Sequence, residues 1–117
     1  MAAAQYDFVI EQGTTTVRSF VWKSADGTPL NLEGYSARMQ IRASTQANTY
    51  LMELTTENGR IILTHLEGKI ELKLSAAETS AIDWKRGKYD LELVSSTGFV
   101  TRLLFGLVTV SKEITRE

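Results

Sequence analysis

The sequence predicts an all-β fold: an antiparallel sandwich of about eight short strands with one short crossover helix near 76–82. Three observations predict it. Apolar and polar residues alternate with period two through most of the chain. Turn residues recur at spacings of about 8–12 residues. Only one segment carries a helix start signal, and it is short. A small closed barrel shares this patterning and stands as the alternative. The 117 residues fit one domain spanning 1–117. A chain of this length buries roughly 65–70% of the surface that its unfolded form exposes, enough for one core without staples.

The elements follow in order. In "YDFVIEQG", Tyr6, Phe8 and Ile10 share one face, opposite Asp7, Val9 and Glu11, and Gln12-Gly13 ends the run. "TTTVRSFVWK" is rich in β-branched and aromatic residues. Phe20 and Trp22 fall on one face, Val17 and Val21 on the other, so this strand is expected either to be buried on both sides or to lie under an oligomer contact. Asp26-Gly27 and the single proline, Pro29, make a turn. "LNLEGY" then carries Leu30 and Leu32 towards the core, with a bend at Gly34. "YSARMQIR" alternates cleanly: Tyr35, Ala37, Met39 and Ile41 inward, Ser36, Arg38, Gln40 and Arg42 outward. Residues 43–49 are polar and aperiodic, a loop, and "YLMELTT" resumes a strand.

Asn58-Gly59 is the strongest hairpin signal in the chain. It predicts that "YLMELTT" and "RIILTH" pair across it. After a turn at Glu67-Gly68, "KIELKL" places Ile70, Leu72 and Leu74 inward. Ser75 and Glu78 then form a capping box at the start of a helix of about two turns. A helix this short is unstable alone. It is expected to dock through Ala77, Ala81, Ile82 and Trp84. "YDLELV" and "FVTRLLFGLVTV" close the chain as a hairpin across Ser95–Gly98. In its second strand Phe99, Thr101, Leu103 and Phe105 alternate with Val100, Arg102 and Leu104, and Gly106 marks a bulge or a close backbone approach.

Composition excludes several functions. With no cysteine, disulfides and thiolate metal sites are ruled out, and with one histidine, His65, so is a multi-histidine metal site within one chain. A net charge of −1 provides no global field for nucleic acid or an anionic membrane. No stretch approaches the ~20 apolar residues of a membrane span. "MAAAQYDF" lacks the basic and apolar regions of a secretion signal.

Candidate chemistry is sparse. Asp90 and Glu92 stand two apart on a strand, the spacing of a solvated face rather than of an acid–base pair converging on one bond. Glu78 with Asp83 fares no better. His65 has no companion nucleophile and reads as a turn histidine. "GTTT" and "DGTP" lack the strand–loop–helix frame and lysine of a phosphate loop. Trp22, Trp84 and Tyr35 could form a sugar platform, though aromatics of this kind usually fill sandwich cores. Arg38, Arg42, Lys69 and Lys73 are interleaved with acids, the pattern of a mixed surface. The expectation is a protein that is not an enzyme, with no catalytic residue, cofactor or metal.

Four phrases in order, "DGTPLNLEGYSARMQIR", "TTENGRIIL", "GKIELKLSAAETSAIDWKRGKYDLEL" and "VTRLLFGLVTVSKEITR", resemble short virion-associated proteins of tailed bacteriophages and prophages. The Asp-Gly-x-Pro…Leu-x-Gly segment is also similar to the N-terminal domain of phage baseplate upper proteins. The resemblance covers nearly the whole chain. It implies an immunoglobulin-like sandwich acting as an assembly or attachment adaptor in tail, baseplate, neck or fibre attachment, without a receptor-binding extension. The alternatives are a capsid decoration protein and a carbohydrate- or receptor-binding module. The implied partners are other virion structural proteins in a symmetric homo-oligomer, with no nucleic acid and no membrane. The implied location is the virion, after synthesis in the host cytoplasm. The closing hairpin is apolar on both faces: Val100, Leu104 and Val108, with Arg102 and Ile114, are the candidate protein-interface residues if the first three lie exposed. If the helix or the N-terminal strands cover those three, they are core and the interface lies elsewhere. Arms at 1–5 and 111–117 could cross onto neighbours.

Overall fold

Alternation sorts the strands into two faces, and the structure, a computed structural model that describes residues 3–115, packs those faces together. The strands are β1 (Ala4–Gln5), β2 (Phe8–Glu11), β3 (Thr16–Val21), β4 (Ser36–Arg42), β5 (Met52–Thr55), β6 (Ile61–Thr64), β7 (Lys69–Leu74), β8 (Arg86–Val94) and β9 (Val100–Ser111). A 3-10 turn at His65–Glu67 joins β6 to β7, and helix α1 (Ala76–Ser80) joins β7 to β8. One sheet runs β1-β9-β8-β4-β5, with β2 also on β9, and the other runs β3-β7-β6. This is a two-layer β-sandwich. The core draws Met39, Ile41, Leu91, Leu93 and Val108 from the large sheet and Ile61, Ile70, Leu72 and Leu74 from the small one.

Most strand faces follow the alternation. Phe8 and Ile10, then Ala37, Met39 and Ile41, then Ile70, Leu72 and Leu74 are buried on the expected side. Leu32 is fully buried from its loop. The capping box forms: Ser75 Oγ accepts from the Glu78 N–H at 3.1 Å, and Glu78 Oε1 accepts from the Ser75 N–H at 2.8 Å. Asp26 accepts from the Ser24 hydroxyl and the Thr28 N–H, which together hold its carboxyl down at about 2.

Four expectations change. Asn58-Gly59 turns the chain, with Gly59 at φ 79°, but does not close a hairpin. Strand β5 pairs with β4 and β6 pairs with β7, so this turn carries the chain between sheets. Local turn chemistry fixes a bend, not the partner. The helix docks through Ile82 and the fully buried Thr79, whereas Ala77 and Ala81 are exposed and Trp84 is half-buried. The Thr79 hydroxyl accepts from the Gly13 N–H (3.0 Å) and donates to the Thr14 carbonyl (2.8 Å), tying α1 to the β2–β3 loop. Strand β3 is an edge strand with Val17 and Val21 exposed, so it is not buried on both sides.

The last change concerns the closing hairpin. Leu91 pairs with Leu104 and Glu92 with Arg102, leaving Leu103 as an extra residue on β9. This bulge shifts the alternation by one, so Leu104, Val108 and Val110 turn into the core. Gly106 pairs normally with Tyr89 and marks a close approach instead: a Cβ there would overlap the Tyr6 carbonyl oxygen. That carbonyl accepts from the buried Tyr89 hydroxyl at 2.5 Å. Burial, then the nearby Tyr6 and Asp7, raises the Tyr89 pKa, which keeps the hydroxyl a donor.

Candidate interaction surfaces

The five candidate interface residues do not share a face. Leu104 is 8% exposed and Val108 is fully buried, so both belong to the core and neither is a docking residue of this fold. The physical reason is the bulge at Leu103, together with β1 and β2, which pair in parallel with β9 from Ala4↔Leu104 to Glu11↔Ser111. Val100 is 45% exposed at the mouth of the hairpin. Arg102 lies on the outer face, 3.4 Å from Asp90 and 4.9 Å above the Phe105 ring. Ile114 is 91% exposed beyond the end of β9. The arms are also tied where they are described. Ala4–Gln5 pairs with β9, the Lys112 ammonium donates to the Trp84 carbonyl (3.3 Å), and the Glu113 N–H donates to Gln12 Oε1 (2.8 Å). Residues 1–2 and 116–117 of the expected arms lie outside the described residues.

The outer face of the large sheet is a lattice of paired charges. Arg38 meets Glu92 at 2.8 Å, Gln40 Nε2 donates to Glu53 at 3.0 Å, and an Arg42 N–H donates to Gln40 Oε1 at 2.7 Å. Asp90 and Glu92 are each held by an arginine on an open face. Among the described residues, no group of three His, Asp or Glu side chains is placed to hold a metal ion.

A groove of roughly 570 Å³ runs between β5 and α1. Tyr50, Met52 and Trp84 supply apolar walls, and Asn58, Arg60 and Asp83 a polar rim. Trp22 and Tyr35 meet edge to face at 6.2 Å and pack against the core, and the Trp22 main chain bonds to Gly68 and Leu30. The structure therefore splits the expected aromatic trio: Trp84 lines the groove and the other two do not. The Trp22 indole N–H is buried without a hydrogen-bond partner.

Sheet edges decide what a sandwich can bind, because an edge strand offers unpaired N–H and C=O groups to another chain. The β5 edge is closed from within. Asn58 Oδ1 accepts from the Thr55 N–H (3.0 Å), while its Nδ2 donates to the Glu53 carbonyl (3.0 Å), which also takes an Arg60 N–H (2.9 Å). The carboxamide acts as a one-residue substitute strand. Arg18 points inward between Thr16 and Phe20. Its guanidinium donates to the Val17 carbonyl on β3 (2.9 Å) and to the Val9 carbonyl on β2 (2.8 Å), with Phe8 beneath it at 5.9 Å. It staples the open side of the sandwich. The Glu11 carbonyl at the end of β2 is taken by Thr14, and the main-chain carbonyl of His65, just past the end of β6, accepts from the Leu32 N–H at 3.0 Å.

Sequence reasoning missed these edge groups. Arg18 left one signal, a charge at an inward position of an apolar strand. Asn58 left none, since its turn role masks its edge role. No protein-family model matches the chain, and no curated protein matches it.

Proposed function

We propose that this chain is a structural protein of a tailed-phage virion, an immunoglobulin-like adaptor that assembles with other virion subunits through its sheet edges and loop ends. The observation that carries this reading is strand order. A β2-β9-β8-β4-β5 sheet facing β3-β7-β6, with a short helix between β7 and β8, is compatible with a variable-type immunoglobulin sandwich, the module the sequence resembles. A second feature supports it: on the outer face of the large sheet Arg38 pairs with Glu92 and Arg102 with Asp90, so the charges that line the open depressions there are matched with one another. The partners are other virion proteins, and the setting is the assembled particle. Mass spectrometry of purified virions released by the strain that encodes this chain tests this. Peptides of this chain are expected at structural stoichiometry, and particles that lack them while remaining infectious overturn the proposal.

The groove between β5 and α1 favours a second reading, a carbohydrate- or receptor-binding module, because Tyr50 and Trp84 flank polar side chains there. That reading requires Trp84 fluorescence to respond to glycan and to be quenched by iodide. A blue-shifted, unquenchable Trp84 removes it.

A further inference from the structure

We propose that β3 is the strand through which two copies of this chain pair, antiparallel and centred on Ser19, to form a continuous six-stranded sheet. This names a partner that the adaptor reading leaves open. It rests on that reading only for its biological setting, since the argument uses this chain alone.

The register of β3 on β7 determines which groups are on offer. Thr16 pairs with Leu74 and Arg18 with Leu72, and the Trp22 N–H donates to the Gly68 carbonyl at 2.8 Å. Even-numbered residues therefore turn their backbone towards β7, and Val17, Ser19 and Val21 turn theirs outward. The Arg18 bond to the Val17 carbonyl shows that direction, and it leaves that oxygen a second lone pair. Alternatives are poorer. The β5 edge is covered by Asn58 and Arg60, the β2 edge has both of its outward carbonyls, Val9 and Glu11, bonded where β3 has one of three, and β6 is four residues long with the His65 main-chain carbonyl engaged beside it. Strand β3 offers six residues.

The occupant follows from self-complementarity. A two-fold axis at Ser19 places Val17 opposite Val21 of the second copy, Ser19 opposite Ser19, and Arg18 opposite Phe20. The outward backbone groups then fall in register as three hydrogen-bonded pairs, about six inter-chain bonds. Val17 and Val21 are 41% and 49% exposed on the outer face, and as cross-strand partners they cover each other. Arg18 facing Phe20 across the seam extends the cation–ring contact that Arg18 already makes with Phe8. Lys73 beside Val17 and Lys69 beside Val21 stand three strand spacings from their counterparts, about 14 Å, so they do not oppose the pairing at physiological salt. An edge contact of this size is weak alone and gains strength where a particle holds copies side by side.

Sedimentation of the purified chain tests this at concentrations up to about 1 mM. A reversible dimer is expected. Ser19→Pro removes an outward N–H and one exposed, long hydrogen bond from the Ser19 hydroxyl to Glu71 (3.4 Å), so it should remain monomeric with unchanged circular dichroism. Val17→Lys and Val21→Glu should each weaken the homodimer about tenfold, and mixing the two variants should restore a heterodimer, because position 17 faces position 21. If Ser19→Pro does not fold, the two charged variants carry the test. A wild-type chain monomeric throughout, or a dimer indifferent to these changes, or no heterodimer on mixing, overturns the proposal. None of these outcomes bears on virion mass spectrometry, so the two readings fail separately.

Discussion

Glu78 shows how much one side chain can do in a short segment. It closes the capping box on the Ser75 N–H, and it receives the Arg60 guanidinium at 2.6 Å, joining α1 to the turn that follows β5. The Ser75 N–H lowers its pKa below 4.5 against the opposing effect of burial, with Arg60 adding to the lowering. A carboxyl whose folded pKa is depressed stabilises the protein above its unfolded value, and loses that contribution as the pH falls through the folded value. Glu78→Gln keeps an acceptor for the cap but removes the charge. The expected cost is about 0.5–1 kcal/mol at pH 7, reflecting a partly exposed pair. That cost should vanish as the pH falls below 4.5 and through the lowered folded value, as followed by urea melts across pH. A cost independent of pH would assign the role of Glu78 to packing.

At the scale of elements, the bulge at Leu103 divides the closing hairpin into two halves with opposite polarity. Before it, Val100 and Arg102 face water, and after it Leu104, Val108 and Val110 face the core. Leu104→Ala is therefore expected to cost about 2–5 kcal/mol, as for other buried leucines. Val100→Ser should stay within about 0.5 kcal/mol. Equal costs in denaturant titrations would contradict the placement of the bulge. The β5–β6 turn teaches a related lesson. Its Asn-Gly pair turns the chain as expected, yet the asparagine also covers the β5 edge, so the segment ends one sheet and starts the other.

Across the whole molecule, the two ends of the described chain are bound together. Strands β1 and β2 run parallel to β9, joining residues about a hundred positions apart in sequence. Between them the ladder breaks: the Leu107 N–H turns to Asp7 Oδ1 at 2.9 Å, and the Tyr6 carbonyl lies over Gly106. Gly106→Ala sets a methyl against main-chain oxygen, which cannot swing aside like a flexible side chain. The expected cost is about 1–3 kcal/mol. Hydrogen exchange should speed up first at the Tyr6 and Gln12 amides, which donate to Phe105 and Ser111 at 2.9 Å. Unchanged protection there would mean that the N-terminal strand does not depend on this approach.

Sequence alone determined the all-β class, the inward faces of β2, β4 and β7, the turn at Asp26-Gly27 and the Ser75–Glu78 cap. Each depends on residues a few positions apart, where period-two alternation and capping chemistry act. It also left a trace of Arg18 as an inward charge. Tertiary structure decided the rest. The partners of β5 and β6, the extra residue at Leu103, the parallel pairing of the chain ends and the closure of the β5 edge by Asn58 all depend on groups brought together across sheets. The apolar content of the closing hairpin was legible, but its direction was not. One unpaired residue reverses every side chain beyond it, and only the pairing with β8 reveals where that residue lies.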